Sequence, residues 1–191
     1  MTKGRLEAFS DGVIAIVITI MVLELRPPHG TALTALAPLR DKFSSYLLSF
    51  VFLAIYWNNH HHLMQAAKHV DGRVLWANMH LLFWLSLVPF VTAWMGESRF
   101  AAAPVAVYGA VLLLAGMAYY ILSNLLISRH GADSTLARAI GADRKGRISV
   151  ALYALAILLA FPAPLVACGI YVVVAVMWLV PDRRIERVLA E

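Results

Sequence analysis

Hydrophobic residues along the chain gather into six long segments separated by short polar stretches. The segments cover residues of about 4–25, 41–65, 72–96, 100–128, 145–162 and 164–181. A helix that crosses the hydrocarbon core of a bilayer needs roughly 20 predominantly apolar residues. Backbone groups inside hydrocarbon must bond within their own segment, so we expect helices rather than strands. The pattern predicts an all-α polytopic membrane protein, a single domain over residues 1–191 with six transmembrane helices.

Prolines divide and bend these segments. The last apolar run, from residue 148 to 180, is too long for one span, and Pro162 and Pro164 lie at its middle. Two prolines so close together disfavour a continuous helix. We therefore expect a tight hairpin between a fifth and a sixth helix. Pro89 lies late in the third segment, where membrane helices commonly kink.

Composition and charge agree with a membrane location. The chain is 61% hydrophobic and 14% charged, whereas a soluble domain is nearer half apolar and a quarter charged. The net charge of +5 does not indicate nucleic-acid binding, because the basic residues follow the positive-inside pattern. With the N-terminus inside, the outer loops hold only Arg26, Arg40, Lys42 and Arg99. We expect both termini to be cytoplasmic and the protein to lie, surrounded by lipid, in the cell's inner (plasma) membrane.

The first segment has one distinct face. Residues at helical spacing form an almost wholly aliphatic stripe, namely Gly12, Ile16, Thr19, Ile20 and Leu23. Asp11 lies about 100° from Gly12 on the helix and so points off this stripe. Because ionisable residues inside membranes are usually paired, we expect Asp11 to pair with Arg5 or with a polar group on another helix.

Polar residues are concentrated on the second and third segments, with His60, His61 and His62 on one and Asn78 and His80 on the other. They could form a network that holds the first helix, or a metal site. Three consecutive histidines fan over about 200° of a helix, so they cannot all bind one ion. The spaced His and Glu pairs typical of metal-binding helices are absent from the sequence. We expect no metal cofactor.

Three motifs in order resemble one known family. Arg5-Leu6-Glu7-Ala8-Phe9-Ser10-Asp11-Gly12 resembles the Arg-x-x-x-Phe-Ser-Asp signature of the endolysosomal potassium channel family, transmembrane protein 175, in its prokaryotic branch. Tyr56-Trp57-x-x-His60-His61 is similar to its second motif, and Asn78 with Pro89-Phe90-x-Thr92 to its third. His62 is a departure, since the resemblance leads us to expect a basic residue such as arginine there.

The resemblance implies a homotetrameric channel that conducts potassium through a pore lined by the first helix. By position, Ile16, Ile20 and Leu23 would form the constriction that K⁺ passes, with Thr19 on the same side. The signature residues would hold this helix in place. The implied network contains Arg5, Phe9, Ser10, Asp11, Trp57, Asn78 and either His60 or His61.

Four functions remain open at this point. A potassium-preferring cation channel would use the aliphatic rings as a hydrophobic gate that closes by dewetting. A proton or small-solute transporter would use Asp11 and the histidines as relays. A membrane enzyme would need a metal at His60, His61 and His80, and a structural subunit would conduct nothing. The sequence favours the channel over the transporter. We expect no enzymatic activity and no cofactor besides the permeant monovalent cation.

Overall fold

The structure, a computed structural model, describes residues 2–130 and 144–179, and helices account for most of them. The helices are α1 (Lys3–Leu23), a 3₁₀ helix (Leu33–Leu39), α2 (Arg40–Ala66), α3 (Gly72–Ser86), α4 (Val88–Glu97), α5 (Ala102–His130), α6 (Arg144–Leu159) and α7 (Pro164–Leu179). Within those two ranges there is no β-strand. The all-α prediction is confirmed, and the predicted hairpin between α6 and α7 falls at residues 160–163.

The third predicted helix is interrupted at Leu87. Pro89 has no N–H and cannot donate to the carbonyl of Leu85, so the ladder of hydrogen bonds breaks one turn earlier. The Leu87 N–H bonds to the Trp84 carbonyl over 3.2 Å, and Val91 N–H bonds to the Leu87 carbonyl over 3.2 Å. The result is α3 followed directly by α4, where the sequence predicted one helix with a bend.

The helices pack so that α1 lies on one side of the bundle. It contacts α2, α3 and α4, whereas α6 and α7 pack on the other side against α2 and α5. One apolar core runs between them. Its fully buried side chains include Ile14, Leu53, Leu81, Met95 and Leu112.

Among the residues that the structure describes, three helical segments are long and apolar enough to cross a bilayer: Lys3–Leu23, Gly72–Glu97 across the break, and Ala102–Arg129. Pro164–Leu179 is apolar but shorter. At 1.5 Å per residue, α1 is about 32 Å long, which matches the thickness of the hydrocarbon core.

Asp71 fixes the beginning of α3. One of its carboxylate oxygens accepts from the backbone N–H groups of Arg73 and Val74, each at 3.0 Å. The other oxygen pairs with Arg129 at the end of α5. The pKa of Asp71 is held below its ordinary value, chiefly by the Val74 N–H and then by Arg129.

A lowered pKa in the folded state means that ionised Asp71 stabilises the fold. That contribution is present above the ordinary carboxyl pKa of 3.8 and is lost as the pH falls through the lower folded value. We expect Asp71→Asn to lower the thermal midpoint slightly at neutral pH. The effect should vanish at pH values below the pKa of Asp71 in both the folded and the unfolded protein, where the carboxyl group is protonated in either state. Asp71→Ala, which also removes the cap, should have the larger effect. Thermal unfolding against pH checks this, and equal midpoints for both variants at neutral pH would contradict it.

Candidate functional site

The predicted aliphatic stripe lies on the face of α1 that the rest of the described chain leaves uncovered. Ile16 is 58% exposed, Ile20 45% and Leu23 74%. A side chain added at Gly12 would meet open space. The Thr19 hydroxyl is also on this face and donates to the Ile16 carbonyl over 2.9 Å. The opposite face of α1 is buried and consists of Leu6, Ser10, Ile14, Val17 and Met21.

Three polar contacts align α1 antiparallel to α2. They join Lys3 Nζ to the Gln65 carbonyl at 3.2 Å, Glu7 Oε1 to His61 Nδ1 at 3.4 Å, and Asp11 Oδ1 to Trp57 Nε1 at 3.0 Å. Each contact lies four residues after the preceding one on α1 and four residues before it on α2. Since four residues make roughly one turn, the contacts stack on one face of each helix over two turns.

His61 sits at the middle of this helix pair. Its Nδ1 faces the Glu7 carboxylate at ion-pair distance, although without the geometry of a hydrogen bond. Its Nε2 lies 2.8 Å from the amide nitrogen of Gln65, one turn later on α2. The imidazole stacks on the Trp57 indole with 5.7 Å between ring centroids. His61 therefore supports the indole that bonds to Asp11.

A second, fully buried chain of hydrogen bonds connects α1 to both α2 and α3. The Asn78 amide donates to Ser10 Oγ over 2.9 Å, and Ser10 in turn donates to the Leu6 carbonyl over 2.9 Å. His60 Nε2 lies 2.8 Å from Asn78 Oδ1. A carbonyl oxygen only accepts, so His60 is the donor and carries hydrogen on Nε2. Asn78 thus joins all three helices.

The structure brings together most, not all, of the residues that the sequence grouped as a network. Asp11 contacts Trp57, and Ser10 reaches His60 through Asn78. Phe9 is 47% exposed on the outside of α1. Arg5 is exposed as well and forms no ion pair with any residue in the described ranges.

Sequence reasoning missed the contacts of Lys3, Glu7 and Gln65. The four-residue spacing of Lys3, Glu7 and Asp11, set against the same spacing of Trp57, His61 and Gln65, was the available signal. This spacing identifies the contacting pairs only when the register of α1 against α2 is known. The spacing alone shows only that each trio shares one helix face.

A further polar cluster, also missed, ties the middle of α2 to α4 and α5. The Ser49 hydroxyl lies 2.6 Å from that of Thr92 and 3.0 Å from that of Tyr108. All three side chains are buried. Small hydroxyl residues inside apolar spans commonly bond across helices in this way.

Within the described ranges, no three histidine, cysteine, aspartate or glutamate side chains converge on one point that could hold a metal ion. His60 bonds to Asn78, whereas the next histidine on α2 turns toward Glu7 and Gln65. The described residues therefore form a helix, α1, that is bonded to α2 and α3 on one face and leaves its aliphatic face uncovered.

Known proteins resemble this chain in sequence. Residues 5–89 match the family model of the endosomal/lysosomal potassium channel TMEM175. A potassium channel of Chryseobacterium sp. (strain P1-3) is 53% identical over 191 residues, which is 100% of both chains. A potassium channel of Chamaesiphon minutus (strain ATCC 27169 / PCC 6605) is 32% identical over 91% of each.

A solved structure is similar over nearly the whole fold. It is the crystal structure of a lysosomal potassium-selective channel TMEM175 homolog from Chamaesiphon minutus. The TM-score is 0.80 at 29% identity, and the match covers 93% of this chain and 96% of that chain. By sequence and by fold, the chain belongs to the family of the endosomal/lysosomal potassium channel TMEM175.

Proposed function

We propose that this chain forms a potassium-conducting channel as a homotetramer in which α1 of each subunit lines the pore. The observation that carries the proposal is the division of α1 into two faces. One face is fixed to α2 by the Asp11–Trp57 bond and to α3 by the buried Ser10–Asn78 bond, and the other is aliphatic and uncovered. The relatives named as potassium channels support the ion.

The proposed topology has six spans and both termini in the cytoplasm. The α3–α4 segment acts as one span, and α6 and α7 form the short fifth and sixth spans. The sparse basic residues of the proposed outer loops support this orientation. We place the channel in the plasma membrane.

In the proposed tetramer, Ile16, Ile20 and Leu23 each contribute a ring to the pore wall. A narrow ring of aliphatic side chains expels water, and a hydrated ion cannot cross it. A small widening lets a partly dehydrated ion pass, and potassium loses water more readily than sodium. Glu7 and Asp11 do not serve as ion ligands here, because they contact α2.

Flux through reconstituted vesicles tests the proposal. Purified protein should pass potassium down its gradient, and Ile16→Asn should raise the flux about tenfold and reduce potassium preference over sodium, because an amide ring keeps the pore wet. A tenfold change corresponds to about 1.4 kcal/mol of barrier. Ile121→Asn on α5 is the matched control, since Ile121 is also exposed but lies away from α1. Folded protein without flux would refute the channel, and equal effects of both variants would refute the pore wall.

The competing transporter would move protons or a small solute through Asp11 and the histidines. Asp11 bonds to an indole N–H, which donates but does not relay protons. A pH-sensitive dye inside the same vesicles separates the two functions. Proton uptake that Asp11→Asn abolishes, without potassium flux, would favour the transporter.

A further inference from the structure

A cavity of about 250 Å³ lies on the side of the bundle away from α1. Residues of α2, α5, α6 and α7 line it, and none of the described residues that line it belongs to α1. It is therefore separate from the face that we assign to the pore.

The cavity is amphipathic along its length. Its inner wall is formed by Phe52, Leu113 and Tyr153, in the middle of their helices. Its other end, where α6 begins, is formed by Arg147 and Trp178. Tyr153 is the sixth residue after Arg147 on α6, so the two lining residues lie about 9 Å apart along the helix axis. An apolar space of this kind does not hold water well.

Arg147 gives this end of the cavity a positive charge that no described residue neutralises. Its side chain is exposed and forms no ion pair or hydrogen bond with the described part of the chain. Arg144 and Lys145 lie in the same turn, and Lys145 stands 6.0 Å over the Trp178 ring. Such a basic, aromatic end is typical of the bilayer interface, where anionic headgroups lie.

We propose that the cavity binds an acyl chain of an anionic phospholipid whose phosphate lies at Arg147. The aliphatic and aromatic wall fits the chain, and the unpaired guanidinium fits the phosphate. The three basic residues span about 5 Å of one helical turn. A phosphate with its glycerol fills that width better than one carboxylate does, which favours a phospholipid over a free fatty acid.

Trp178 makes the proposal measurable, because its indole forms part of the wall and donates to Ser149 Oγ over 2.8 Å. Protein is reconstituted in vesicles that contain phosphatidylglycerol and phosphatidylcholine, with one lipid brominated in its chains. Subtracting the emission of Trp178→Phe isolates the Trp178 signal. We expect brominated phosphatidylglycerol to quench that signal several-fold more than brominated phosphatidylcholine at equal mole fraction.

Two pairs of variants locate the effect. Arg147→Gln should reduce the preference for phosphatidylglycerol about tenfold, as expected for one lost charged hydrogen bond. Arg144→Gln should reduce it by a smaller factor, because Arg144 lies one turn away at the edge of the headgroup position and does not line the cavity. Gly116→Leu fills the cavity and should abolish the quenching. Gly169→Leu points into open space and should not.

Lipid that copurifies with wild type, Gly116→Leu and Gly169→Leu, measured by mass spectrometry, provides a readout that needs no tryptophan change. Fewer bound phosphatidylglycerol molecules only in Gly116→Leu would support the proposal. Equal quenching by both brominated lipids would overturn it, as would identical behaviour of the two glycine variants. Quenching by brominated stearate but not by brominated phosphatidylglycerol would assign the cavity to a free fatty acid and overturn it too.

Discussion

Replacing Asn78 with leucine is expected to lower the free energy of unfolding by about 2 kcal/mol and to disturb potassium flux at the same time. Leucine is branched at the same carbon but is larger, and it cannot accept from His60 or donate to Ser10; the side chains of Asn78, His60 and Ser10 are all fully buried. A buried group without its partner costs roughly 1–3 kcal/mol in proteins. Hydrogen bonds between membrane helices contribute at most about 1.7 kcal/mol each. The loss of the two hydrogen bonds of Asn78 therefore accounts for the expected decrease of about 2 kcal/mol in the free energy of unfolding.

The matched control is Asn124→Leu on α5. Asn124 is exposed, and its amide donates only within its own helix, to the Tyr120 carbonyl at 2.8 Å. In mixed micelles, the free energies of unfolding of the two variants should differ by more than about 1 kcal/mol, which is roughly the contribution of one hydrogen bond. Ser10→Ala should cost less in the Asn78→Leu background than in wild type, because the bond is already absent. An Asn78→Leu protein as stable as Asn124→Leu would show that the three-helix connection contributes little.

The functional consequence follows from the position of Asn78. It contacts the buried face of α1, on the other side of the helix from Ile16 and Leu23. A change in flux from Asn78→Leu would thus act through the placement of α1 and not through the face of α1 that we propose lines the pore. Asn124→Leu should leave flux unchanged.

The helices themselves could be predicted from the sequence because membrane spans are set by length and hydrophobicity. The predicted range 4–25 became Lys3–Leu23, and 164–181 became Pro164–Leu179. The 3₁₀ helix Leu33–Leu39 was not predicted, since its short run of Ala, Leu and Pro has no clear period. The complete interruption of the helix at Leu87 could not be predicted from the sequence either. A proline indicates where a bond is lost, but the neighbouring helices decide how the chain bends.

The site could be predicted to the level of helix faces. The aliphatic stripe follows from helical spacing alone, and the structure has the stripe uncovered. Ser10 was placed in the network by resemblance, and the structure has it buried. The partners do not follow, because they depend on how far one helix is shifted along its neighbour. A shift of one turn would have placed His61 opposite Asp11. Arg5 was one of two expected partners of Asp11, the other being a polar group on another helix; in the described structure Asp11 bonds to Trp57 and not to Arg5.

Substituting Gly109 with alanine is expected to destabilise the fold by about 3 kcal/mol, more than the same substitution at Gly116 or Gly169. The added Cβ would clash with Tyr171 Oη and would lie 2.8 Å from its Cζ. Tyr171 cannot move aside easily, because it is fully buried and its hydroxyl donates to the Val105 carbonyl over 3.0 Å. Overpacking of this kind costs roughly 1–3 kcal/mol, and the closeness of the contact favours the upper end.

Two glycines elsewhere provide controls with the same substitution. Gly169 faces open space, and a Cβ at Gly116 would meet only Tyr56 Oη at an ordinary 3.6 Å. Alanine there should be neutral or stabilising by up to about 1 kcal/mol, because it favours helix more than glycine does. Tyr171→Phe should recover part of the loss at Gly109, since it removes the closest atom. Equal midpoints for Gly109→Ala and Gly169→Ala would show that α5 and α7 can move apart. In that case, the close packing of α5 against α7 would not hold in place the side of the bundle away from α1, against which α2 packs.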